Sequence, residues 1–345
     1  MERLKTVLSY ILIVVIILSL AVVLILSVGS DVPKSFMSFF RGIFGSLYGF
    51  SEVLVRATPL ILAGLGVSIG FRTGFINIGA EGQIYWGAIA VTTTAYLFPG
   101  LPALIAIPLG IVAGFVAGGI WALIPGYLKA RFGISEVINT IMFNYIAINI
   151  LGILVRTVLK DPEYPLPMSS KLPDGFIFPL LMYPTRLHLG FLIALIAMVL
   201  VYVLMWKSSP GYKLRVVGLN QRASLCSGIP VKKYIVFSSL LSGGFAGIAG
   251  VGEIAGIHYK LLEGFSPGFG YVAIIVALLG KNNPFGVTAA GLGIAALQVG
   301  SLSMQRQAGV PASISWIIMG SIVLLILSRS TLLTLFAENQ KEEKV

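Results

Sequence analysis

Six polar side chains lie within or beside long apolar runs of this sequence. They are Asn77, Glu81, Gln83, Asn144, Glu253 and His258. Polar groups in apolar surroundings are costly, and they mark either a solute pathway or hydrogen bonds between helices. Amides, scattered carboxylates and aromatic rings, without a charged pair or a dense acidic ring, fit a neutral polar solute better than an ion. Both roles stay open for each of the six residues.

The same residue types form no catalytic or metal-binding pattern. The only two histidines, His188 and His258, lie in separate regions, and there is no Gly-x-Ser-x-Gly motif. Leu279-Gly280-Lys281 is not a phosphate-binding loop, because it lacks the glycine five residues before Gly280 and a serine or threonine after Lys281. We therefore expect no enzyme and no cofactor or metal bound by this chain, so that any nucleotide energy must come from another chain.

The composition is that of a membrane protein. Apolar residues make up 57% of the 345 residues and charged residues 11%, against about 25% charged in ordinary globular proteins. This balance excludes a soluble enzyme. Lysine and arginine number 24 and aspartate and glutamate 13, but the bases lie in short segments between apolar runs, so no nucleic-acid partner is expected.

Long apolar runs predict the elements that must position these side chains. The first, residues 7–28, can cross a hydrocarbon core of about 30 Å at about 1.5 Å per helical residue. The later runs lie near 52–70, 83–98, 102–124, 136–155, 187–206, 234–256, 270–280, 285–302 and 313–328. The pattern predicts an all-α polytopic membrane protein with about ten transmembrane helices in a single domain, 1–345.

Two glycine-rich stretches interrupt this pattern, Gly74–Gly82 and His258–Gly270. Irregular backbone at membrane depth survives only where it is buried in protein or lines a cavity, so both breaks indicate a translocation path. A similar run of small, aromatic and apolar residues follows each break. This similarity hints at two related halves, but the shared identities are too few to establish a repeat.

The distribution of bases predicts the orientation in the membrane. The segment 207–233 carries six bases and no acid, which places it in the cytoplasm by the positive-inside rule. With about ten spans, both termini and the tail 329–345 are then cytoplasmic. The proline-rich loop 157–186 is extracytoplasmic.

Three stretches, taken in order, resemble one family. Residues 70–83 read GFRTGFINIGAEGQ and resemble the FRxGxxNIGAEGQ signature of ABC importer permeases of the branched-chain amino acid, ribose and simple-sugar group. Residues 128–146 are similar to the LKAxxGxxEVIxTxMxNYI stretch of the nucleoside branch. Residues 268–284 resemble the GxGxxxIxVALLGxxxP stretch of the same branch. The likeness runs from about residue 50 to 330.

The resemblance implies a permease subunit that moves nucleosides into the cytoplasm by alternating access. It implies three partners: a cytoplasmic ATP-binding subunit that uses the ATP, a second homologous permease subunit, and an extracytoplasmic substrate-binding protein. It also implies that Asn77, Glu81 and Gln83 adjoin the cavity, with Asn144, Glu253 and His258 as further candidates.

Residues 211–229 look like the family's cytoplasmic coupling segment, a short helix that docks on the ATPase. The residues carried over are Arg215, Gly218, Asn220, Arg222, Ala223 and Gly228. Asn220 can cap a short helix, and Gly228 with Pro230 can end it. The sequence departs from the family at Ala223-Ser224, where two alanines are usual. A purely topological role for this basic loop is the alternative.

Two other functions stay open at this stage. A ribose-like sugar permease shares the first motif, and competition between ribose and adenosine separates it from a nucleoside permease. An ion-coupled carrier working alone belongs to a different class, and gradient-driven uptake in vesicles containing only this chain would identify it.

Overall fold

The chain is mainly helical in the part described by the computed structural model, which covers residues 2–311, 313–314, 316–318, 320–321 and 324–325, with side chains from residue 15. The predicted tail 329–345 and seven residues of the predicted span 313–328 lie outside these residues. Within them are twelve α-helices: α1 (Glu2–Ser27), α2 (Val32–Phe44), α3 (Leu47–Thr73), α4 (Ala80–Leu97), α5 (Ala103–Phe132), α6 (Glu136–Leu154), α7 (Gly190–Lys207), α8 (Ser209–Leu219), α9 (Gln221–Cys226), α10 (Val231–Glu253), α11 (Phe269–Leu279) and α12 (Pro284–Ala308).

Six of these helices are long and apolar enough to cross a membrane. They are α3, α5, α6, α7, α10 with its continuation to His258, and α12. The pair Val15–Ser27 and Val32–Phe44, bent by 116°, raises the number to seven if it forms one span. The prediction of about ten spans is not confirmed in the described residues. One reason is that α11, with 11 residues, is too short to cross alone.

The described residues form two compact units, one from the described parts of 1–53 and 293–345, the other from Leu54–Leu292. The first unit has its own apolar core of Ile25, Met304, Val310 and Ile314. In this unit Asp31 caps α2 by accepting a hydrogen bond from the Lys34 amide. The second unit contains all of the predicted pathway and coupling residues.

Glycines bring α4, α5 and α10 into close contact in the second unit. A Cβ built on Gly247 of α10 would overlap the carbonyl oxygen of Gly114 in α5, and one on Gly118 would overlap that of Gly243. Gly87 of α4 lies equally close to Gly247. The glycine pairs at spacing four therefore let the helix backbones touch, which buries most of α10.

Both predicted breaks are present. The first separates the end of α3 at Thr73 from the start of α4 at Ala80. At the second, α10 passes into a π-turn at Ile254–His258, Tyr259 adopts a left-handed conformation with φ 57°, and α11 begins at Phe269. The second unit thus contains two helices, α4 and α11, that begin directly after a break.

The close glycine contact predicts a steric effect that depends on position. Gly247→Ala should lower the thermal midpoint of the purified chain, because overpacking a tight contact costs about 1–3 kcal/mol. Gly252→Ala is the matched control on the same helix, since no described atom lies within 4 Å of a Cβ there. Melting curves in detergent check this, and equal midpoints for the two variants would contradict the packing.

Candidate functional site

Glu81 joins the starts of the two broken helices. Its Oε2 accepts a hydrogen bond of 2.7 Å from the Gly270 amide in the first turn of α11. A carboxylate at a helix N-terminus satisfies amides that have no partner in the helix and complements the helix dipole. Glu81, in the first turn of α4, is therefore a cap of α11.

The two helices meet without space for a side chain. A Cβ on Gly270 would overlap the backbone nitrogen of Glu81. We call this meeting point, with Asn77, Glu81, Gln83, Asn144 and Gly270, the junction. Only glycine, which has no side chain, permits this close approach at position 270.

Asn144 of α6 contacts both helices at the junction. Its Oδ1 accepts a hydrogen bond of 2.8 Å from the Gly82 amide, and its Nδ2 donates to the Ile78 carbonyl at 3.0 Å. The same Nδ2 lies 3.2 Å from the hydroxyl of Tyr271 in α11. Asn144 therefore accepts a hydrogen bond from an amide in the first turn of α4, as Glu81 does in the first turn of α11. Tyr271 is the partly exposed member of this group, with 39% of its surface accessible.

Asn77 and Gln83 bond to each other and to α10. Asn77 Nδ2 donates to Gln83 Oε1 and to Ser242 Oγ, both at 2.8 Å. Asn77 Oδ1 accepts from Gln83 Nε2 at 3.0 Å and from the Gly79 amide at 2.9 Å. Both side chains are fully buried. The pair therefore ties the end of the first break to α4 and α10.

The other end of the first break is held by groups that the sequence analysis did not assign. Lys129 Nζ donates to the Gly74 carbonyl at 2.5 Å and forms an ion pair with Glu136. Glu136 also accepts from the Ile76 amide, and Thr140 accepts from the Ile78 amide, each at 3.3 Å. The only signal for Lys129 is its place in the second family-like stretch.

The remaining two predicted residues lie at the second break. Glu253 is buried in the last turn of α10, and His258 ends the π-turn. His258 Nε2 is 3.7 Å from Glu253 Oε2, and the His258 side chain keeps 29% exposure. The structure thus brings four predicted residues together at the junction and places this pair at the π-turn.

The connection between α6 and α7 covers the second break. Within the predicted extracytoplasmic loop 157–186 and just after it, Ser169, Leu172, Phe176, Phe178 and His188 are buried. Burial, and after it the charge of Arg186, lowers the pKa of His188 to about 4. The ring is therefore neutral at pH 7. We refer to residues 161–189 as the 161–189 loop.

The predicted coupling segment forms two short helices, α8 and α9. Asn220 caps α9 by accepting a hydrogen bond of 3.0 Å from the Ala223 amide, as its position predicts. Gly228 follows with φ 75°, and Arg222 and Ala223 are exposed. Leu219 and Leu225 are 86% and 59% exposed, so this segment presents apolar side chains among its bases.

The coupling segment touches the first break directly. A Cβ on Gly218 would overlap the carbonyl oxygen of Arg72 at the end of α3, and one on Gly74 would lie 3.8 Å from the Gly218 Cα. Arg72 and Arg215 both lie over the Trp206 ring, at 4.6 and 5.8 Å from its centroid. Movement of α8 would therefore act on the end of α3.

The cap at the junction predicts a large effect of a single carboxylate. Glu81→Ala should lower the thermal midpoint, because each buried donor left without a partner costs about 1–3 kcal/mol. The thermal midpoint of Glu81→Gln, which keeps an acceptor oxygen, should lie between those of Glu81→Ala and the unaltered chain. Glu263→Ala is the control, because Glu263 forms an exposed ion pair with Arg156 and such pairs contribute about 1 kcal/mol or less. Similar midpoints for Glu81→Ala and Glu263→Ala would contradict the cap.

Comparison with known proteins identifies the family. Residues 49–327 match the family described as branched-chain amino acid transport system / permease component. The guanosine ABC transporter permease NupP of Bacillus subtilis is 39% identical over 95% of this chain and 94% of its own length. The glucose ABC transporter permease TsgB13 of Haloferax volcanii is 38% identical over 82% and 77%. The nucleoside ABC transporter permease NupB of Lactococcus lactis is 31% identical over 89% and 86%. The chain therefore belongs to the branched-chain amino acid transport system permease family, whose members are multi-pass membrane subunits of ABC transporters and not enzymes.

Proposed function

We propose that this chain is the permease subunit of an ABC importer that moves nucleosides into the cytoplasm. The observation that carries the proposal is the 39% identity to a guanosine permease over nearly the full length of both chains. The similarity to a second nucleoside permease supports it. The buried amides and the absence of a dense acidic cluster from the sequence agree with a neutral polar solute.

The energy and the solute come from partner proteins in this proposal. A cytoplasmic ATP-binding subunit hydrolyses ATP, and a second homologous permease completes the membrane pathway. An extracytoplasmic binding protein delivers the nucleoside. The basic segment 207–233 and both termini are then cytoplasmic, and the 161–189 loop faces the binding protein.

The coupling segment transmits movement of the ATPase to the first break. In this mechanism α9 and the end of α8 dock on the ATPase through Leu219, Ala223 and Leu225. The bases Arg215 and Arg222 meet acidic groups around the docking groove. Gly228 ends the docking helix. The contact of Gly218 with the Arg72 carbonyl supports this mechanism, because it joins α8 to the end of α3.

The solute passes beside the two breaks. Asn77, Glu81, Gln83 and Asn144 adjoin the pathway and hold its walls in position, and Glu253 and His258 do the same at the π-turn. The partial exposure of Tyr271 and His258 supports this arrangement, since both lie at the ends of broken helices. About ten spans in two related halves, each containing one break, complete the proposed architecture.

Uptake measurements test the substrate class. We expect deletion of the gene to abolish an ATP-dependent uptake of labelled guanosine, adenosine or uridine, and re-expression to restore it. Unlabelled ribose and glucose should not compete. Loss of sugar uptake with nucleoside uptake unchanged would move the chain to the sugar permeases, for which the similarity to TsgB13 gives a reason. Uptake that continues after ATP depletion would contradict an ABC importer.

Docking predicts the effect of a bulky side chain on α9. Ala223→Trp should reduce nucleoside uptake at least about tenfold per inserted chain, because loss of about 1.4 kcal/mol of interaction already gives that factor. Co-purification with the ATPase measures docking directly. Gly218 is unsuitable for this test, since its substitution would also disturb α3.

The control for this variant lies at the same end of the second unit. Phe132→Trp places a tryptophan at the exposed end of α5 and should leave uptake unchanged. If Ala223→Trp inserts normally and still co-purifies with the ATPase and imports nucleosides, the coupling assignment is wrong.

A further inference from the structure

The 161–189 loop is hydrogen-bonded along the second break. Three backbone amides of the loop donate to carbonyls of the break: Phe178 to Ala255 at 2.9 Å, Leu172 to Tyr259 at 2.8 Å and Ser169 to Leu261 at 2.8 Å. The Leu261 amide donates in return to Ser169 Oγ at 2.9 Å. The two segments run antiparallel and include a bridge between Met168 and Leu262. The loop thus supplies partners for backbone groups that left the helix at the π-turn.

His188, at the end of this loop, packs into the π-turn itself. A Cβ on Gly256 would lie 2.5 Å from His188 Nδ1 and 2.6 Å from Nε2, so the ring occupies the space that a side chain at 256 would need. His188 Nδ1 accepts a hydrogen bond of 3.1 Å from the Gly190 amide. The ring is 1% exposed and lies beside the Phe178 ring, with 6.0 Å between centroids.

The π-turn needs such support. Tyr259 closes it with φ 57°, a left-handed conformation that is strained for a non-glycine residue. Strained backbone persists only where the surrounding structure over-determines it. The groups that surround this turn include His188 against Gly256 and the Leu172 amide on the Tyr259 carbonyl.

We propose that His188 is a positioning residue for transport: it fills the π-turn at Gly256 and keeps the 161–189 loop and the second break together as one unit throughout the transport cycle. The transport readouts rest on the proposed function. The contact itself can be measured without transport.

A double-mutant cycle tests the role of the ring. Gly256→Ala should lower the maximal uptake rate of labelled guanosine about tenfold per inserted chain, because overpacking displaces the turn. The concentration for half-maximal uptake should stay within about twofold, since the binding protein sets solute capture in this proposal. His188→Ala should also lower the rate by itself, because the π-turn then loses the ring that fills it. The double variant should lose less than the product of the two single losses, because both changes act on one contact and the methyl group then has room.

Gly252→Ala is the matched control one turn earlier on α10, where no described atom opposes the methyl group. It should leave the uptake rate unchanged. A Gly256→Ala chain that transports like Gly252→Ala would overturn the role of His188. So would a His188→Ala chain that transports like the unaltered chain, or a double variant whose loss equals the product of the two single losses at equal membrane abundance. If Gly256→Ala fails to insert, restoration of insertion by His188→Ala is the result that the proposal expects.

A disulfide tests whether the loop and the break stay together. Residues paired in an antiparallel bridge have Cα atoms about 4.5–5.5 Å apart, within the range of about 4.4–6.8 Å that a disulfide accepts. Met168→Cys with Leu262→Cys should therefore oxidise readily in the membrane. Every comparison uses a Cys226→Ser parent, because Cys226 is an exposed free thiol.

We expect the oxidised chain to import guanosine at the rate of the reduced chain, and His188→Ala to slow formation of the disulfide. Uptake lost on oxidation and restored by reductant would show that the two segments must separate, and would overturn the proposal. Cysteines that stay reactive toward a maleimide after oxidation would also overturn it. The maleimide readout needs no transport, so a parent that imports no nucleoside contradicts the proposed function and leaves this test intact.

Discussion

The structure depends on one constraint: a broken helix inside apolar surroundings must find partners for the backbone groups that the break releases. Leu54–Leu292 contains two breaks. Near both, polar side chains form hydrogen bonds with backbone groups that have no partner within a helix. At the first, Lys129 and Thr140 satisfy groups of the break itself, and Asn144 satisfies the first turn of α4. At the second, Glu81 and the 161–189 loop do the same. Removing such a side chain would leave a polar backbone group alone in an apolar interior.

This constraint links the polar residues to function without requiring that they touch the solute. The Glu81 carboxylate accepts a hydrogen bond from the Gly270 amide of α11, so its first role is to hold α4 and α11 against each other. A pathway needs walls in fixed positions, and the junction provides them. The partly exposed Tyr271 and His258, which sit on these supported ends, are better placed to meet a solute.

Different parts of the chain contact the two breaks. The first adjoins the coupling segment, where Gly218 lies against the end of α3. The second is covered by the 161–189 loop, with His188 in the π-turn. Glu81 connects the two through the junction. A displacement at either break would therefore be transmitted to α4 and α11. This arrangement suits a subunit that, in the proposed mechanism, binds an ATPase on one side and a binding protein on the other.

The sequence predicted what depends on local pattern: the helical membrane class, both breaks, the Asn220 cap and the family. It could not predict contacts between distant residues. Glu81 and Gly270 are 189 positions apart, and neither their spacing nor their types indicate a cap across two helices. Ser242, Thr140 and Lys129 are ordinary residues of their helices until the fold brings them to the first break. The loop 157–186 has the composition of an exposed connection, and its buried residues follow only from the backbone it covers.

The most direct test of this account is hydrogen exchange at the start of α11, followed by mass spectrometry of a peptide covering residues 266–272. The Gly270 amide, which donates its hydrogen to Glu81, should exchange slowly in the unaltered chain. It should exchange at least about tenfold faster in Glu81→Ala, since loss of about 1.4 kcal/mol of local stability gives that factor. Peptides from α3 should exchange alike in both chains. Equal exchange of the 266–272 peptide with and without the Glu81 carboxylate would contradict the claim that buried polar side chains hold the broken helices in place.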